Sequence, residues 1–243
     1  MNAPDLSVIV FAFNEEANVG PVLEELRRWL ADHEPSAEVV FVDDGSSDGT
    51  VGAAAAVLAG TKHQIHSHVG NRGIGAALKT GVRAARGDWV TFMPADGQIA
   101  PDAIGQLRDA AAADGTDVVF SVYEDRDDGA HRKVLSAGLR SLIFLVHGVR
   151  MRSDGPYLFR RALFDADRLA PDTFFLNFEF PIRMLGEGTR AGEVTIACRP
   201  RRSGQSKSAG LKRIWGVFRD LVDLRFRLAK ESLTTPSRAT RRS

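Results

Sequence analysis

The sequence predicts an α/β domain: a mainly parallel, twisted sheet flanked by helices, with a basic amphipathic helix at its C-terminal end. Two observations point to the sheet. Through the first half, short apolar runs alternate with helically spaced segments of about ten to fifteen residues, the signature of βαβ units. The runs themselves, such as L-S-V-I-V-F-A and E-V-V-F-V, are nearly continuous in apolar residues, as strands buried on both faces require. A third observation concerns the end of the chain, where hydrophobic residues recur at the helix period with cations between them.

Taken in order, Leu6 to Ala12 reads as the first strand and Glu15 to Leu30 as a helix. Ala37 to Val42 is apolar again, and Asp48 to Leu58 is helical, with Ser46, Ser47 and Asp48 as cap candidates. Gln64 to Val69 gives a third strand. Ile74 to about Ala85 gives a helix whose Ile74, Leu78, Val82 and Ala85 share one face. Trp89 to Phe92 is a strand that stops at Pro94, a helix follows Pro101, and Asp117 to Val122 is a strand. The second half is less regular: Val134 to Val146, Arg160 to Leu169 and Phe178 to Gly186 read as helices, and Glu193 to Arg199 as a strand. Beyond Gly210, Leu211, Ile214, Trp215, Phe218, Leu221 and Val222 follow the helix period, interleaved with Lys212, Arg213, Arg219, Arg225, Arg227 and Lys230. The final residues, T-T-P-S-R-A-T-R-R-S, read as a disordered tail.

Composition narrows the function classes. A chain of 243 residues with 44% hydrophobic content supports one large core. The single cysteine, Cys198, excludes an intramolecular disulfide and a thiolate-rich metal site, and suits a reducing compartment. No run of about 18 apolar residues is present to span a bilayer, and the N-terminus lacks a basic region, so the expected location is cytoplasmic. The net charge of +1 conceals an asymmetry. Residues 199–243 carry 13 Lys/Arg against 3 Asp/Glu, whereas the preceding 198 carry 19 against 28. A basic end of this kind suits contact with phosphates or an anionic membrane surface. No nucleic-acid partner is expected of it.

Three strand ends carry acidic turns: A-F-N-E-E after the first strand, V-D-D-G-S-S-D-G-T after the second, and M-P-A-D-G-Q after the fourth. In a parallel sheet those ends share one edge, where ligands of such sheets gather. Asn14, Glu15, Asp43, Asp44 and Asp96 are therefore expected to converge on one cleft. The competing reading, that Asp43 and Asp48 are only turn and cap residues, rests on D-G-S-S-D-G being good turn chemistry by itself. G-N-R-G-I-G-A-A-L-K-T-G follows the third strand rather than the first and is a poor match to a dinucleotide loop. Its glycines allow close approach to the cleft, and Arg72 and Lys79 stand where they could face anions. His66 and His68 alternate on one strand face without a third zinc ligand nearby.

S-V-I-V-F-A-F-N-E-E, then V-F-V-D-D-G-S-S-D-G-T, then N-R-G-I-G-A-A-L-K-T-G-V-R-A-A-R-G-D-W-V-T-F-M-P-A-D-G-Q together resemble a family 2 glycosyltransferase of the GT-A fold. Within it, the chain is similar to dolichol-phosphate and polyprenyl-phosphate sugar transferases. The match covers residues 6 to about 125, and continues more loosely to about 207 through S-D-G-P-Y-L-F-R-R, F-E-F-P-I-R-M-L-G-E-G and R-R-S-G-Q-S-K. The resemblance implies a GT-A domain over 1–207, its nucleotide half 1–125 and acceptor half 126–207, then the basic helix 208–233 and the tail 234–243.

The same resemblance implies roles. Phe11, Phe13, Glu15, Asp43, Asp44 and Ala95 fall at the nucleotide of a GDP- or UDP-linked sugar, and Asp96 and Gln98 at a Mg2+ or Mn2+ ion on its diphosphate. Pro94 replaces the first aspartate of the family's usual Asp-x-Asp, removing one anionic ligand, so metal and nucleotide are expected to bind together. Arg201 and Lys207 match a pair placed against phosphates. The family's arginine after the fifth strand is absent, Val122 standing there, with Arg126 the nearest substitute. Glu179, with Asp154 a further acidic candidate, sits where relatives acting on hydroxyl acceptors carry a base. The implied function is inverting transfer of a sugar to a polyprenyl phosphate, with the last helix and Val134 to Val149 offering peripheral attachment to anionic lipid. Two alternatives stay open: a soluble saccharide or secondary-metabolite acceptor, and a degenerate domain that binds nucleotide or lipid without turnover. For the last helices, packing on the domain or in a homodimer competes with membrane contact.

Overall fold

The computed structural model describes residues 3–124, 129–153, 155–170, 172–200 and 211–234. Its strands are β1 (Leu6–Ala12), β2 (Glu38–Asp43), β3 (His63–Ser67), β4 (Trp89–Pro94), β5 (Val118–Tyr123), β6 (Tyr157–Arg160) and β7 (Ala191–Ile196). Its helices are α1 (Glu16–His33), α2 (Thr50–Leu58), α3 (Ile74–Ala84), α4 (Asp102–Asp114), α5 (Gly129–His147), α6 (Leu176–Gly186) and α7 (Leu211–Thr234). The seven strands form one sheet in the order β3-β2-β1-β4-β6-β5-β7. All neighbours are parallel except β6, which runs against both β4 and β5.

Burial explains the continuous apolar runs. Leu6, Val8 and Val10 of β1 face one core with α1, α2 and α4, while Ile9 faces a second core under α3 and α6. A third, smaller core joins Ile143 of α5, Phe175 and Ile182 around α6, and Leu221 and Leu224 of α7. The last helix is thus docked on the domain along one stripe. No helix among the described residues is long and apolar enough to cross a membrane.

One expected element is different. The segment read as a helix over 160–169 is helical only in a 3-10 turn at Arg161–Leu163, and just before it Tyr157–Arg160 form the strand β6, which the sequence reading does not include. Tyr157, Leu158 and Phe159 are all fully buried, because β6 lies inside the sheet with a core on either face. Four residues are too few to show a period, and the run of three apolar side chains fits a helix turn equally well. The remaining elements differ from expectation only at their ends: β3 stops at Ser67 and leaves Val69 exposed, and β7 runs from Ala191 rather than Glu193. The expected tail beyond Thr234 lies outside the described residues.

Candidate functional site

The sheet register brings the three acidic turns to one edge. Ala12, the last residue of β1, pairs with Asp43 at the end of β2, and Phe11 pairs with Pro94 at the end of β4. Past the strands the ladder continues: the Asp44 N–H donates to the Ala12 carbonyl at 2.8 Å and the Ala95 N–H to the Phe11 carbonyl at 3.0 Å. Asp44 and Ala95 therefore flank the exit of β1, two strand spacings apart, about 10 Å.

The first two turns are tied to each other. Asn14 adopts φ +54°, the left-handed region that asparagine tolerates. This turns its N–H toward Ser46 Oγ (2.8 Å), while its Oδ1 accepts the Ser47 N–H (2.8 Å). The Glu15 N–H donates to Thr50 Oγ1 (2.9 Å), and Glu16 Oε2 accepts the Gly49 N–H (2.9 Å). Glu15 opens α1, and its carboxylate accepts from Asn18 Nδ2 at 2.6 Å.

Three buried carboxylates sit at this edge, and each is held by donors. Asp43 closes its turn by accepting the Ser46 N–H. Asp44 Oδ1 accepts from His68 Nδ1 (2.7 Å) and the Arg72 N–H (2.9 Å), and its Oδ2 accepts the Gly73 N–H (2.8 Å). Since a carboxylate only accepts, His68 carries its proton on Nδ1, and its Nε2 meets Thr80 Oγ1 at 2.9 Å. Asp96 Oδ1 accepts the Gln98 N–H at 3.0 Å, which folds the turn beyond Pro94 and keeps the side chain 4% exposed. The Gln98 carbonyl accepts the Arg199 N–H, and its amide lies 3.9 Å from Cys198 Sγ, joining the β4 turn to the segment after β7. Phe11 is partly buried and its ring packs 6.2 Å from Phe92; Phe13 is also partly buried.

The loop before α3 connects this edge to the second half. Gly73 and Gly75 press against the backbone of Asp172 and Thr173: a Cβ on Gly75 would lie 2.5 Å from the Thr173 carbonyl oxygen. The Ala76 N–H donates to the Asp172 carbonyl, and buried Lys79 reaches Asp172 Oδ1 at 2.9 Å. Burial of Asp172 opposes its ionisation, but the Lys79 ammonium, with Arg72 at 3.4 Å, outweighs this and holds the carboxyl below its ordinary value. Lys79 is therefore an internal clasp rather than an anion ligand. His68 was legible only as half of a weak histidine pair, because its partners Asp44 and Thr80 are 24 and 12 residues away.

Glu179 lies on the helix where it was expected, but its carboxylate is taken up by arginines. It is fully buried on α6, its Oε1 accepting from Arg183 (2.9 Å) and Arg227 (2.8 Å) and its Oε2 from Arg227 (2.9 Å). With both oxygens committed to arginines, it joins α7 to the domain. Arg126, Asp154, Arg201 and Lys207 lie outside the described residues.

A divalent cation at this edge would find few protein ligands. Among the described residues no group of three His, Cys, Asp or Glu side chains is arranged to hold a metal. One carboxylate and one carboxamide, Asp96 and Gln98, fit an ion that takes most of its oxygens from phosphate and water, as magnesium does. They do not form a cage for a bare ion.

A mostly parallel sheet with a reversed inner strand and acid-bearing turns along one edge is the architecture of the GT-A glycosyltransferases. The chain belongs to glycosyl transferase family 2, whose profile matches residues 7–171. It is 29% identical over 239 residues to a dolichol-phosphate mannosyltransferase of Mycosarcoma maydis, the match covering 93% of this chain and 81% of that protein. It is 30% identical to an undecaprenyl-phosphate 4-deoxy-4-formamido-L-arabinose transferase of Pseudomonas aeruginosa, covering 96% of this chain and 66% of that protein. Among solved structures it resembles glucosyl-3-phosphoglycerate synthase of Mycobacterium tuberculosis in complex with Mn2+, UDP and phosphoglyceric acid. The TM-score is 0.68 at 22% identity, covering 91% of this chain and 77% of that one.

Proposed function

We propose that the chain is an inverting transferase that moves a sugar from a GDP- or UDP-linked donor to a polyprenyl phosphate. The observation that carries this reading is the meeting of the A-F-N-E-E, D-D-G and P-A-D-G-Q turns at the exits of three adjacent strands. The relatives named for prenyl-phosphate sugar transfer, aligned over more than nine-tenths of the chain, support the acceptor class.

In this reading Phe11, Phe13, Glu15, Asp43 and Ala95 border the nucleoside. Asp44 acts one step back, fixing the loop of Arg72 and Gly73. Asp96 and Gln98 would hold a divalent cation, and bound there it supplies positive charge to the departing diphosphate. Arg201, Lys207 and Arg126 are assigned to phosphates by their place in the family pattern. The acceptor oxygen attacks the anomeric carbon as the bond to the donor diphosphate breaks. A phosphate oxygen is already anionic at neutral pH, so the step needs no base. This agrees with the committed state of Glu179. The prenyl chain would be presented at a membrane surface, which the protein reaches peripherally.

The test is a thermal shift with UDP and GDP, each with and without Mn2+, followed by transfer to a short-chain prenyl phosphate. A nucleotide at a hundred times its Kd adds about 2.7 kcal/mol to stability. In a chain of this size that raises Tm by roughly 5–10 °C. The shift should require metal and vanish in Asp96→Asn. A metal-independent shift that survives Asp96→Asn refutes the metal assignment, and donor binding with turnover only on soluble phosphorylated acceptors replaces the prenyl phosphate. That second outcome has its own support in the phosphoglyceric acid of the solved neighbour.

A further inference from the structure

We infer that the outward face of α7 is a docking surface for an anionic lipid bilayer, with the helix held flat against the membrane while its inward face stays on the protein. The inference deepens the membrane-facing part of the proposed function by naming the surface.

At 100° per residue, α7 has two apolar stripes. Val217, Leu221, Leu224 and Leu228 fall within about 60° of one another, and these are the residues packed into the core shared with α5 and α6. Phe218, Val222 and Phe226, four residues apart, form a second stripe turned away from the first. Phe218 is 41% and Phe226 71% exposed, unusual for two aromatic rings on one short stretch of surface. A helix serving only as a packing element needs one stripe.

Charge divides the same way. Arg219, Arg225 and Lys230 are exposed and flank the outer stripe. Of the three acids, Asp220 lies 3.5 Å from both the Thr173 hydroxyl and the guanidinium of Arg219, which stays 76% exposed, and Glu231 accepts two bonds from Arg183 at 2.8 and 2.9 Å toward the protein. Asp223 lies at the boundary beside Lys230 on the wheel. Arg227, the remaining cation of this stretch, is spent inward on Glu179. Aromatic rings bordered by cations match the interface of an anionic bilayer, where rings enter the headgroup layer and cations meet lipid phosphates. A second copy of the face would set Arg219, Arg225 and Lys230 against their own counterparts, so the pattern favours lipid over self-association. The inward ion pairs keep α7 seated, so attachment needs no undocking.

The test uses the full chain and sedimentation with phosphatidylcholine vesicles, with and without 30% phosphatidylglycerol, at low and high salt. Binding should require the anionic lipid. Phe218→Ser with Phe226→Ser should weaken it at least about tenfold from lost apolar burial. Arg219→Glu with Arg225→Glu should weaken it roughly fivefold or more per charge. Melting of each variant within about 2 °C of the parent shows that the fold is kept. No anionic-vesicle binding, or binding indifferent to the Phe pair, overturns the inference. So does a dimer, seen by light scattering, that the Phe pair abolishes. Loss of vesicle binding with an intact metal-dependent nucleotide shift overturns this inference alone. Loss of the shift with binding retained overturns only the transferase reading.

Discussion

Replacing Glu179 by Gln separates two roles for this carboxylate with one pair of measurements. The side chain is wholly buried and is shared by Arg183, 3% exposed, and Arg227, 31% exposed. Glutamine preserves the volume but removes the charge, and leaves the guanidinium of Arg183 with Glu231 as its remaining anion. Removing one partner of a buried pair costs about 3–5 kcal/mol. Because Arg227 keeps access to water, about 3 kcal/mol is the appropriate end of that range. At 2–4 °C per kcal/mol for a chain of this length, Tm should fall by roughly 6–12 °C. Turnover per folded molecule, assayed well below the melting transition, should stay within about threefold of the parent. A general base removed in the same way costs about 100-fold or more in turnover with little change in stability. A variant that melts within about 2 °C of the parent yet loses turnover on that scale would refute the clamp and restore Glu179 to the chemistry.

Three further outcomes follow from the geometry. Gly75→Ala places a Cβ 2.5 Å from the Thr173 carbonyl oxygen and 2.6 Å from the Asp172 carbonyl carbon, so denaturant unfolding should show a loss of about 1–3 kcal/mol. His68→Phe removes the donor to Asp44 Oδ1; the apparent Kd for nucleotide should rise several-fold, whereas Asp167→Asn on the exposed Arg83 pair should change neither affinity nor Tm. The hydrogen bond from Arg183, aided by Arg168, lowers the Glu231 carboxyl to about 2 from an ordinary 4.5. A lowered folded-state value means a contribution fully present above pH 4.5 and lost as pH falls toward 2. Tm should therefore drop less steeply in Glu231→Gln than in the parent over that window, and equal slopes would remove Glu231 from the clamp.

The parallel part of the fold was legible because its strands repeat one grammar: an apolar run buried on both sides, an acidic turn, an amphipathic helix. The edge on which Asp43, Asp44 and Asp96 meet followed from that grammar alone. Hydrogen bonds made across the chain were not legible. Asp44 looks in sequence like a ligand to something foreign, yet its oxygens are filled by His68 and by the amides of Arg72 and Gly73, contacts set by how the third βα loop folds back. The turn reading of D-D-G-S-S-D-G holds for Asp43, which does close its own turn. Strand β6 escaped notice because three consecutive buried apolar residues and one exposed arginine leave no alternation to read. The arginine partners of Glu179 escaped for another reason: Arg227 lies 48 residues away on a helix whose cations all looked alike before its inner face was known.

Strand β6 also sets a dimension. By entering between β4 and β5 in the opposite sense, it holds the paired stretches of those two strands about 10 Å apart, twice the spacing of direct neighbours. What occupies that interval at the rim is the start of β6 rather than another strand end, with Gly155 fitted so closely that a Cβ would touch Ser121 Oγ at 2.5 Å. The spacing beneath this rim is consequently set by main-chain ladders rather than by surface side chains. Redesign of specificity in this protein should therefore begin with the side chains along the rim, which can change without disturbing those ladders.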